Sequence, residues 1–150
     1  MNIRYHNRTR KETAEKQLGA VYSSFDELLT ESDFIVSVVP LTGETEAIFD
    51  EYAFKKMKKS AIFINISRGG VVDEDALQSA LQTGEIKAAG LDVFRNEPIS
   101  AEHPLAKMRN VVCLPHIGSA SEDTRTTMIN LCFDNLKAVI GGNAAKTPVT

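Results

Sequence analysis

Short apolar runs alternate along the chain with segments in which apolar residues recur every three or four positions. The apolar runs are predicted strands. They lie at 3–6, 20–22, 34–39, 61–66, 88–93 and 111–114. Near-continuous apolar sequence is typical of parallel strands covered on both faces, so we expect both faces of this sheet to be buried.

Segments with a helical pattern separate these runs, and polar residues mark where several of the predicted helices begin. The predicted helices lie at 11–18, 25–29, 51–57, 74–81 and 121–140. Ser24 and Glu27 have the spacing of a capping box, and Asp73 is placed to cap the fourth helix. Strands alternating with helices predict an α/β protein with a parallel sheet and right-handed crossovers.

Size and composition indicate one ordinary globular domain. The chain has 150 residues and a net charge of −3, which gives no overall electrostatic reason to bind nucleic acid. No apolar run approaches the length of a membrane span, and no spacing of Cys and His suggests a metal site. Cys113 and Cys132 lie among apolar residues, so we expect buried free thiols in a reducing cytoplasm.

Three charged residues each follow a predicted strand directly. They are Arg68 in F-I-N-I-S-R-G-G-V-V-D at 63–73, Glu97 in G-L-D-V-F-R-N-E-P at 90–98, and His116 in V-V-C-L-P-H-I-G-S-A at 111–120. In an open α/β sheet the ligand crevice lies beyond the carboxyl ends of the strands. The sequence therefore predicts that a guanidinium, a carboxylate and an imidazole converge on one cleft.

These three strings resemble the D-isomer-specific 2-hydroxyacid dehydrogenases, most of all the glyoxylate/hydroxypyruvate reductase branch. The resemblance covers essentially the whole chain. It implies a Rossmann-like, doubly wound parallel sheet that is incomplete, because the family's first strand and its G-x-G-x-x-G loop precede the point where this sequence begins. On this basis residues 1–140 are the C-terminal part of an NAD(P)-binding domain, and residues 141–150 are an exit loop toward a substrate domain.

The resemblance gives each charged residue a role in catalysis. Arg68 would bind the carboxylate of a 2-oxo acid, because a guanidinium fork matches a carboxylate bidentately. Gly69 and Gly70 behind it would let ligands approach the backbone. His116 would bind the substrate and donate a proton to the carbonyl oxygen, and Glu97 would favour the protonated imidazole. The simpler interpretations are an arginine in a strand-end salt bridge, a surface histidine and a solvated glutamate.

Four further positions match cofactor contacts of the family. Asp92 would accept a hydrogen bond from the nicotinamide carboxamide, and the backbone carbonyl of Ile66 would accept another. Pro40 would lie against the adenosine, and Gly118 would leave space beside the nicotinamide. The simpler interpretation of Asp92 is a loop-capping carboxylate.

The segment after the first strand indicates which nucleotide is preferred. Enzymes that prefer NAD place an acidic residue at this strand end, where it binds the ribose hydroxyls. Here the place is taken by His6, Asn7 and Arg8, with Arg10 close behind. Because a guanidinium attracts a 2′-phosphate, we expect Asn7 and Arg8 to bind the cofactor and NADP(H) to be preferred, with NAD(H) possible. Arg10 could also attract the phosphate, but a solvated residue in the first turn of the helix is a serious alternative interpretation of it.

Three hypotheses of function follow. The first is a cytoplasmic, homodimeric oxidoreductase that reduces glyoxylate and hydroxypyruvate to D-2-hydroxy acids with NADPH, without metal, nucleic-acid or membrane partners. The second is a nucleotide-sensing protein like the transcriptional corepressors built on the same fold. The third is a cofactor-binding fragment with little activity, because a sheet without its central strand leaves two unpaired edges.

Overall fold

A computed structural model describes residues 1–148 of the chain as two compact units, Met1–Pro115 and His116–Thr150. Each unit is described by itself. The last two residues of the predicted exit loop, 149–150, lie outside the described residues. The predicted boundary between cofactor domain and exit loop at residue 140 stays a prediction.

The first unit alternates strands and helices, as the apolar pattern predicts. Its strands are β1 (Arg4–Tyr5), β2 (Val21–Tyr22), β3 (Phe34–Ser37), β4 (Ile62–Asn65), β5 (Ala88–Leu91) and β6 (Val111–Cys113). Its α-helices are α1 (Glu12–Leu18), α2 (Phe25–Glu31), α3 (Glu51–Lys56) and α4 (Glu74–Thr83). Two 3₁₀ turns, Gly69–Val71 and Pro104–Lys107, follow β4 and precede β6.

The strands form two parallel sheets. One contains β1 and β2, and the other has the order β3-β4-β5-β6. Every pairing in the larger sheet is parallel, so the carboxyl ends of its four strands lie along one edge. Within the described residues no ladder joins β1 to β3. The predicted α/β parallel architecture is confirmed, and the described strands fall into two separate sheets.

Capping side chains fix where two of the helices begin. The Ser24 hydroxyl accepts a hydrogen bond from the backbone N–H of Glu27, whose carboxylate accepts from the backbone N–H of Ser24 at 2.9 Å. The carboxylate of Asp73 accepts from two backbone N–H groups in the first turn of α4. These contacts satisfy backbone donors that a helix start leaves without partners. Both caps predicted from the sequence are confirmed.

Aromatic side chains fill the core on one face of the larger sheet. Phe54 and Phe63 are fully buried, with ring centroids 5.4 Å apart in an edge-to-face arrangement. Phe49 packs on the other side of Phe63 at 4.8 Å. Burial of each ring contributes roughly 1.5–3 kcal/mol, so this cluster anchors β4 against α3 and the segment before it.

The opposite face of this sheet is largely exposed. Along β3 and just beyond it, Phe34, Val36 and Val38 are 61%, 49% and 70% exposed, while Ile35 between them is buried. Val112 on β6, which the register places on the same face, is 63% exposed. Within the described residues a layer therefore covers one face, and the exposed apolar side chains are those that a second layer of a doubly wound sheet would bury.

The second unit consists mainly of one long helix. α5 (Glu122–Ile140) begins at Ser121, whose hydroxyl accepts from the backbone N–H of Thr124, and none of its residues is buried. Cys132 on this helix is exposed, so the expectation of two buried thiols is wrong there, whereas Cys113 on β6 is half-buried. Within the described part of the chain, no helix is both long and apolar enough to cross a bilayer.

Candidate active site

A buried polar network shapes the turn that presents Arg68. The side chain of Asn65, which is 1% exposed, accepts hydrogen bonds from the backbone N–H of Ser67 at 3.1 Å and from its hydroxyl at 2.9 Å. Its amide nitrogen donates to the Arg68 carbonyl at 3.0 Å. The hydroxyls of Ser67 and Ser37 are 3.1 Å apart, which connects this turn to the end of β3. Because these groups are buried and paired, they hold the turn in one geometry.

The Arg68 side chain is exposed at the carboxyl edge of the sheet. One of its terminal nitrogens, Nη1, donates to the carbonyl of Ser67 at 2.7 Å. Among the described residues it forms no ion pair, so the strand-end salt bridge is not supported. A guanidinium carries five N–H donors, which leaves most of the fork available to a carboxylate.

Gly69 lies against the backbone of the loop that follows β5. A Cβ at this position would be 1.9 Å from the carbonyl carbon of Phe94 and 2.2 Å from the backbone nitrogen of Arg95. The glycine is needed because another part of the protein occupies that space. The expectation that Gly69 admits a ligand is thus replaced by a contact between two loops. Gly70 instead faces the Leu41 side chain, 2.9 Å from where its Cβ would lie.

Glu74, the first residue of α4, attaches the loop after β5 to the start of that helix. Its carboxylate accepts a hydrogen bond from the backbone N–H of Arg95 at 2.7 Å. Its second oxygen lies 3.6 Å from Nε2 of His103, and the His103 ring packs edge-to-face on Phe94 at 5.5 Å. Sequence reasoning missed Glu74, because an acidic residue in the first turn of a helix is fully explained by the helix dipole.

Glu97 is exposed in the loop that Glu74 holds. Its Oε1 accepts a hydrogen bond from the backbone N–H of Phe94 at 2.8 Å, which orients the carboxylate within its own loop. Because Phe94 also contacts Gly69, the loops carrying Arg68 and Glu97 meet at one edge of the sheet. The structure thus brings together two of the three loops that the sequence predicts to converge.

Three of the predicted cofactor positions follow strands of the same sheet. Asp92 directly follows β5 and is 6% exposed. Ile66 directly follows β4, and no described residue donates a hydrogen bond to its carbonyl. Pro40 is exposed beyond β3, and its carbonyl accepts from the Thr45 hydroxyl at 2.6 Å. All three lie at the carboxyl edge, where a nucleotide would bind.

His116 opens the second unit and has an unusual backbone conformation. Its φ is 55°, in the left-handed region that only a few per cent of non-glycine residues adopt, and its side chain is exposed. Strained backbone of this kind is concentrated at functional sites, although nothing in the sequence reveals it. Gly118 lies two residues further on in the same unit. The convergence of His116 with Arg68 and Glu97 stays a prediction.

The two arginines in the segment after β1 differ in their hydrogen-bond partners. The backbone N–H of Arg8 donates to the Asn7 side chain at 2.9 Å, and the Arg8 guanidinium is exposed without a hydrogen bond or ion pair to any described residue. Arg10 instead forms two hydrogen bonds with Glu15, at 2.7 and 2.8 Å. Only Arg8 therefore presents an uncommitted guanidinium beside β1.

A parallel α/β sheet with polar groups gathered beyond its strand ends is the architecture of Rossmann-type nucleotide-binding domains. The family model for the "D-isomer specific 2-hydroxyacid dehydrogenase, NAD binding domain" matches residues 1–118. The chain belongs to this family, and the predicted resemblance is confirmed.

Known relatives extend this match to nearly the whole chain. The glyoxylate/hydroxypyruvate reductase B of Cronobacter sakazakii is 51% identical over 149 residues, which are 99% of this chain and 46% of that protein. The structure of an NADPH-dependent glyoxylate/hydroxypyruvate reductase from Sinorhizobium meliloti with NADP and malonate superposes with a TM-score of 0.90 at 40% identity, covering 100% of this chain and 46% of that one. A D-isomer-specific 2-hydroxyacid dehydrogenase from Lactobacillus delbrueckii ssp. bulgaricus in its NAD-complexed form gives 0.89 at 32% identity, covering 99% and 49%. The chain thus spans about half the length of the relatives it matches.

Proposed function

We propose that this chain supplies the cofactor domain and the catalytic groups of a reductase that converts glyoxylate and hydroxypyruvate to D-2-hydroxy acids with NADPH. The single observation that supports this most is the fastening of the Arg68 loop to the Glu97 loop through Gly69, Phe94 and Glu74. The loops carrying a cation for the substrate and a carboxylate for the catalytic imidazole are thereby fixed at the carboxyl edge. The relatives named glyoxylate/hydroxypyruvate reductase give the reaction its class.

Arg68 is proposed to bind the substrate carboxylate. The guanidinium lies at the surface, and the buried Asn65 network holds the backbone beneath it. A bidentate contact with the carboxylate would place the neighbouring ketone in a fixed orientation. Holding the ketone in one orientation lowers the activation barrier, because the substrate's rotational and translational freedom is already lost when it binds.

His116 is proposed as the proton donor and Glu97 as the group that orients it. The reduced nicotinamide supplies a hydride to the ketone carbon when it is bound. As negative charge develops on the carbonyl oxygen, the His116 imidazolium donates a proton and becomes neutral imidazole. In this proposal the Glu97 carboxylate, which the Phe94 N–H holds in place, would accept a hydrogen bond from the other ring nitrogen and so orient the imidazole.

The chain's own residues fit a nicotinamide at the strand ends. The Ile66 carbonyl accepts nothing from described residues, so it offers an acceptor for a carboxamide N–H. We assign the second acceptor to the buried Asp92. Pro40 would contact the adenosine, and Gly118 would leave room beside the nicotinamide.

NADP(H) preference is proposed to depend on Arg8, with Asn7 shaping the turn. The exposed, uncommitted guanidinium of Arg8 is suited to a 2′-phosphate. Among the relatives, one is named with NADP and another with NAD, so preference within the family varies. The proposed preference of this chain for NADP(H) therefore rests on its own residues after β1.

Nucleotide titration of the purified chain tests both cofactor and reaction. We expect NADPH to bind more tightly than NADH, and Arg8→Gln to weaken NADPH by about tenfold while leaving NADH nearly unchanged. Oxidation of NADPH on addition of glyoxylate would then support the reductase. Equal affinities for the two nucleotides would contradict the assignment of Arg8.

A second candidate is a cofactor-binding chain with little turnover. Within the described residues no ladder joins β1 to β3, so the sheet is not continuous there. A nucleotide at the strand ends would then be held less firmly, because a Rossmann-type site spans neighbouring strands. Binding of NADPH without glyoxylate-dependent oxidation would favour this candidate over the first.

We also propose that the chain forms a homodimer in the cytoplasm. The exposed apolar side chains of α5 support self-association, since Met128, Phe133 and Leu136 are each more than half exposed. Sedimentation equilibrium should give twice the chain mass. A monomer at all concentrations would contradict this part of the proposal.

A further inference from the structure

The two arginines after β1 differ in what surrounds them. Arg8 is exposed and makes no side-chain contact with a charged group in the described chain. Arg10 directs its fork at the carboxylate of Glu15, with Nε and Nη2 at 2.7 and 2.8 Å from the two carboxylate oxygens. Of this pair, the Glu15 side chain is only 14% exposed, whereas that of Arg10 is 59% exposed.

Glu15 is the centre of a small network that closes the segment between β1 and α1. The Tyr5 hydroxyl on β1 donates to Glu15 at 2.6 Å and accepts from the backbone N–H of Lys11 at 2.7 Å. The hydrogen bond from Arg10, followed by that from Tyr5, lowers the pKa of Glu15 to about 2. The carboxylate is therefore ionised at any pH where the protein works, and the charges of Glu15 and Arg10 cancel.

We propose that Glu15 is a specificity-determining positioning residue, which holds Arg10 away from the ribose so that Arg8 alone recognises the 2′-phosphate of the nucleotide. This inference rests on the proposed preference for NADP(H).

The cost of the alternative supports this division of roles. For Arg10 to bind the phosphate, it would have to break two charge-assisted hydrogen bonds to Glu15. The carboxylate of Glu15 would then stand unpaired beside a phosphate of the same sign, which is unfavourable. Arg8 has no such bond to break, so it binds the phosphate without disturbing the network around Tyr5.

Adenosine 2′-monophosphate is the probe that isolates this subsite, and adenosine 5′-monophosphate is its control ligand. We expect Arg8→Gln in the full chain to lower the affinity for the 2′-monophosphate by about tenfold. Glu15→Gln should tighten it severalfold, since it releases Arg10 and removes a negative charge. The double variant Arg10→Gln/Glu15→Gln should bind like the original chain, within about twofold, because the pair it removes is neutral.

The outcomes separate this inference from the proposed function. If the double variant binds the 2′-monophosphate as weakly as Arg8→Gln does, Arg10 contacts the phosphate and the inference is wrong. No tightening in Glu15→Gln would also overturn it. If the original chain does not distinguish the two monophosphates, the NADP(H) preference fails first and the inference fails with it. If Glu15→Gln alone does not fold, the double variant still shows whether Arg10 contacts the phosphate. Circular dichroism checks that the double variant is folded.

Discussion

The carboxylate of Glu74 and the backbone N–H of Arg95 are joined by a hydrogen bond of 2.7 Å. This bond connects the first residue of α4 to the loop that carries Glu97, two positions after Arg95. A side chain that the helix dipole alone would explain therefore also sets the position of a proposed catalytic loop.

Replacing Glu74 tests this connection. We expect Glu74→Ala to lower the free energy of unfolding by about 1–2 kcal/mol, because the Arg95 N–H loses its acceptor. Asp75→Ala is the matched control, since it removes a carboxylate from the same helical turn and should cost only a few tenths. Urea denaturation gives both values. Amide exchange at Arg95 should quicken in the first variant alone, and equal effects in both would reduce Glu74 to a helix-dipole role.

Gly69→Ala should be among the most damaging small substitutions in the chain. Its Cβ would fall 1.9 Å from the Phe94 carbonyl carbon, so the two loops must separate. Overpacking of this kind costs about 3 kcal/mol. Gly43→Ala, where a Cβ meets nothing within 4 Å, should be nearly neutral. Similar urea midpoints for the two variants would show that the loops do not pack this closely in solution.

Asn65→Ala should destabilise the Arg68 turn strongly. It leaves the buried Ser67 N–H without its acceptor and removes one bond each from the Ser67 hydroxyl and the Arg68 carbonyl, at a cost of roughly 2–3 kcal/mol. Asn110→Ala is a fitting comparison, because the Asn110 amide makes only longer bonds of 3.3 and 3.4 Å. Thermal melts should give a lower melting temperature for Asn65→Ala than for Asn110→Ala. The reverse order would show that the buried network does not stabilise the turn.

Acid should weaken the β1–α1 connection through Glu15. The pKa of Glu15 is lowered from 4.5 to about 2 in the folded chain, chiefly by the hydrogen bond from Arg10 and then by that from Tyr5. A depressed pKa means that its stabilisation is full above about pH 4.5 and is lost as pH falls toward 2. The stability difference between the original chain and Glu15→Gln should therefore shrink over that window. Glu12→Gln is the matched control, since it removes a carboxylate from the same helix without removing the hydrogen bonds of Arg10 and Tyr5 to Glu15.

His116→Gln should lower glyoxylate reduction by 10²–10⁴, the range for loss of an acid–base group. The same imidazole gives the proton in reduction and takes it back in oxidation, so the rates in both directions should fall together. The variant should bind NADPH as the original chain does. Near-full turnover in His116→Gln would remove the histidine from the mechanism.

Much of the fold follows from local chemistry that the sequence displays. Ser24 and Asp73 mark helix starts through the backbone N–H groups that they satisfy, and both cap the helices where expected. The strands are likewise visible as apolar runs. What the runs do not encode is which faces are covered, since that depends on layers distant in sequence, and Phe34 and Val36 are exposed as a result.

The site was only partly predictable for a related reason. Arg68 and Glu97 lie in recognisable strings, but the groups that place them are ordinary ones. Glu74 and Asn65 act through backbone atoms of other segments, and Gly69 acts by lacking an atom. Such roles become visible only when the chain is folded, because they depend on neighbours many positions away.

The contact between Gly69 and Phe94 is made by main-chain atoms, so it is indifferent to which side chains surround it. Selection or a protein engineer could therefore exchange the side chains around this contact while the two loops keep their spacing. The freedom to diversify at this rim is secured by a glycine whose replacement the neighbouring backbone opposes.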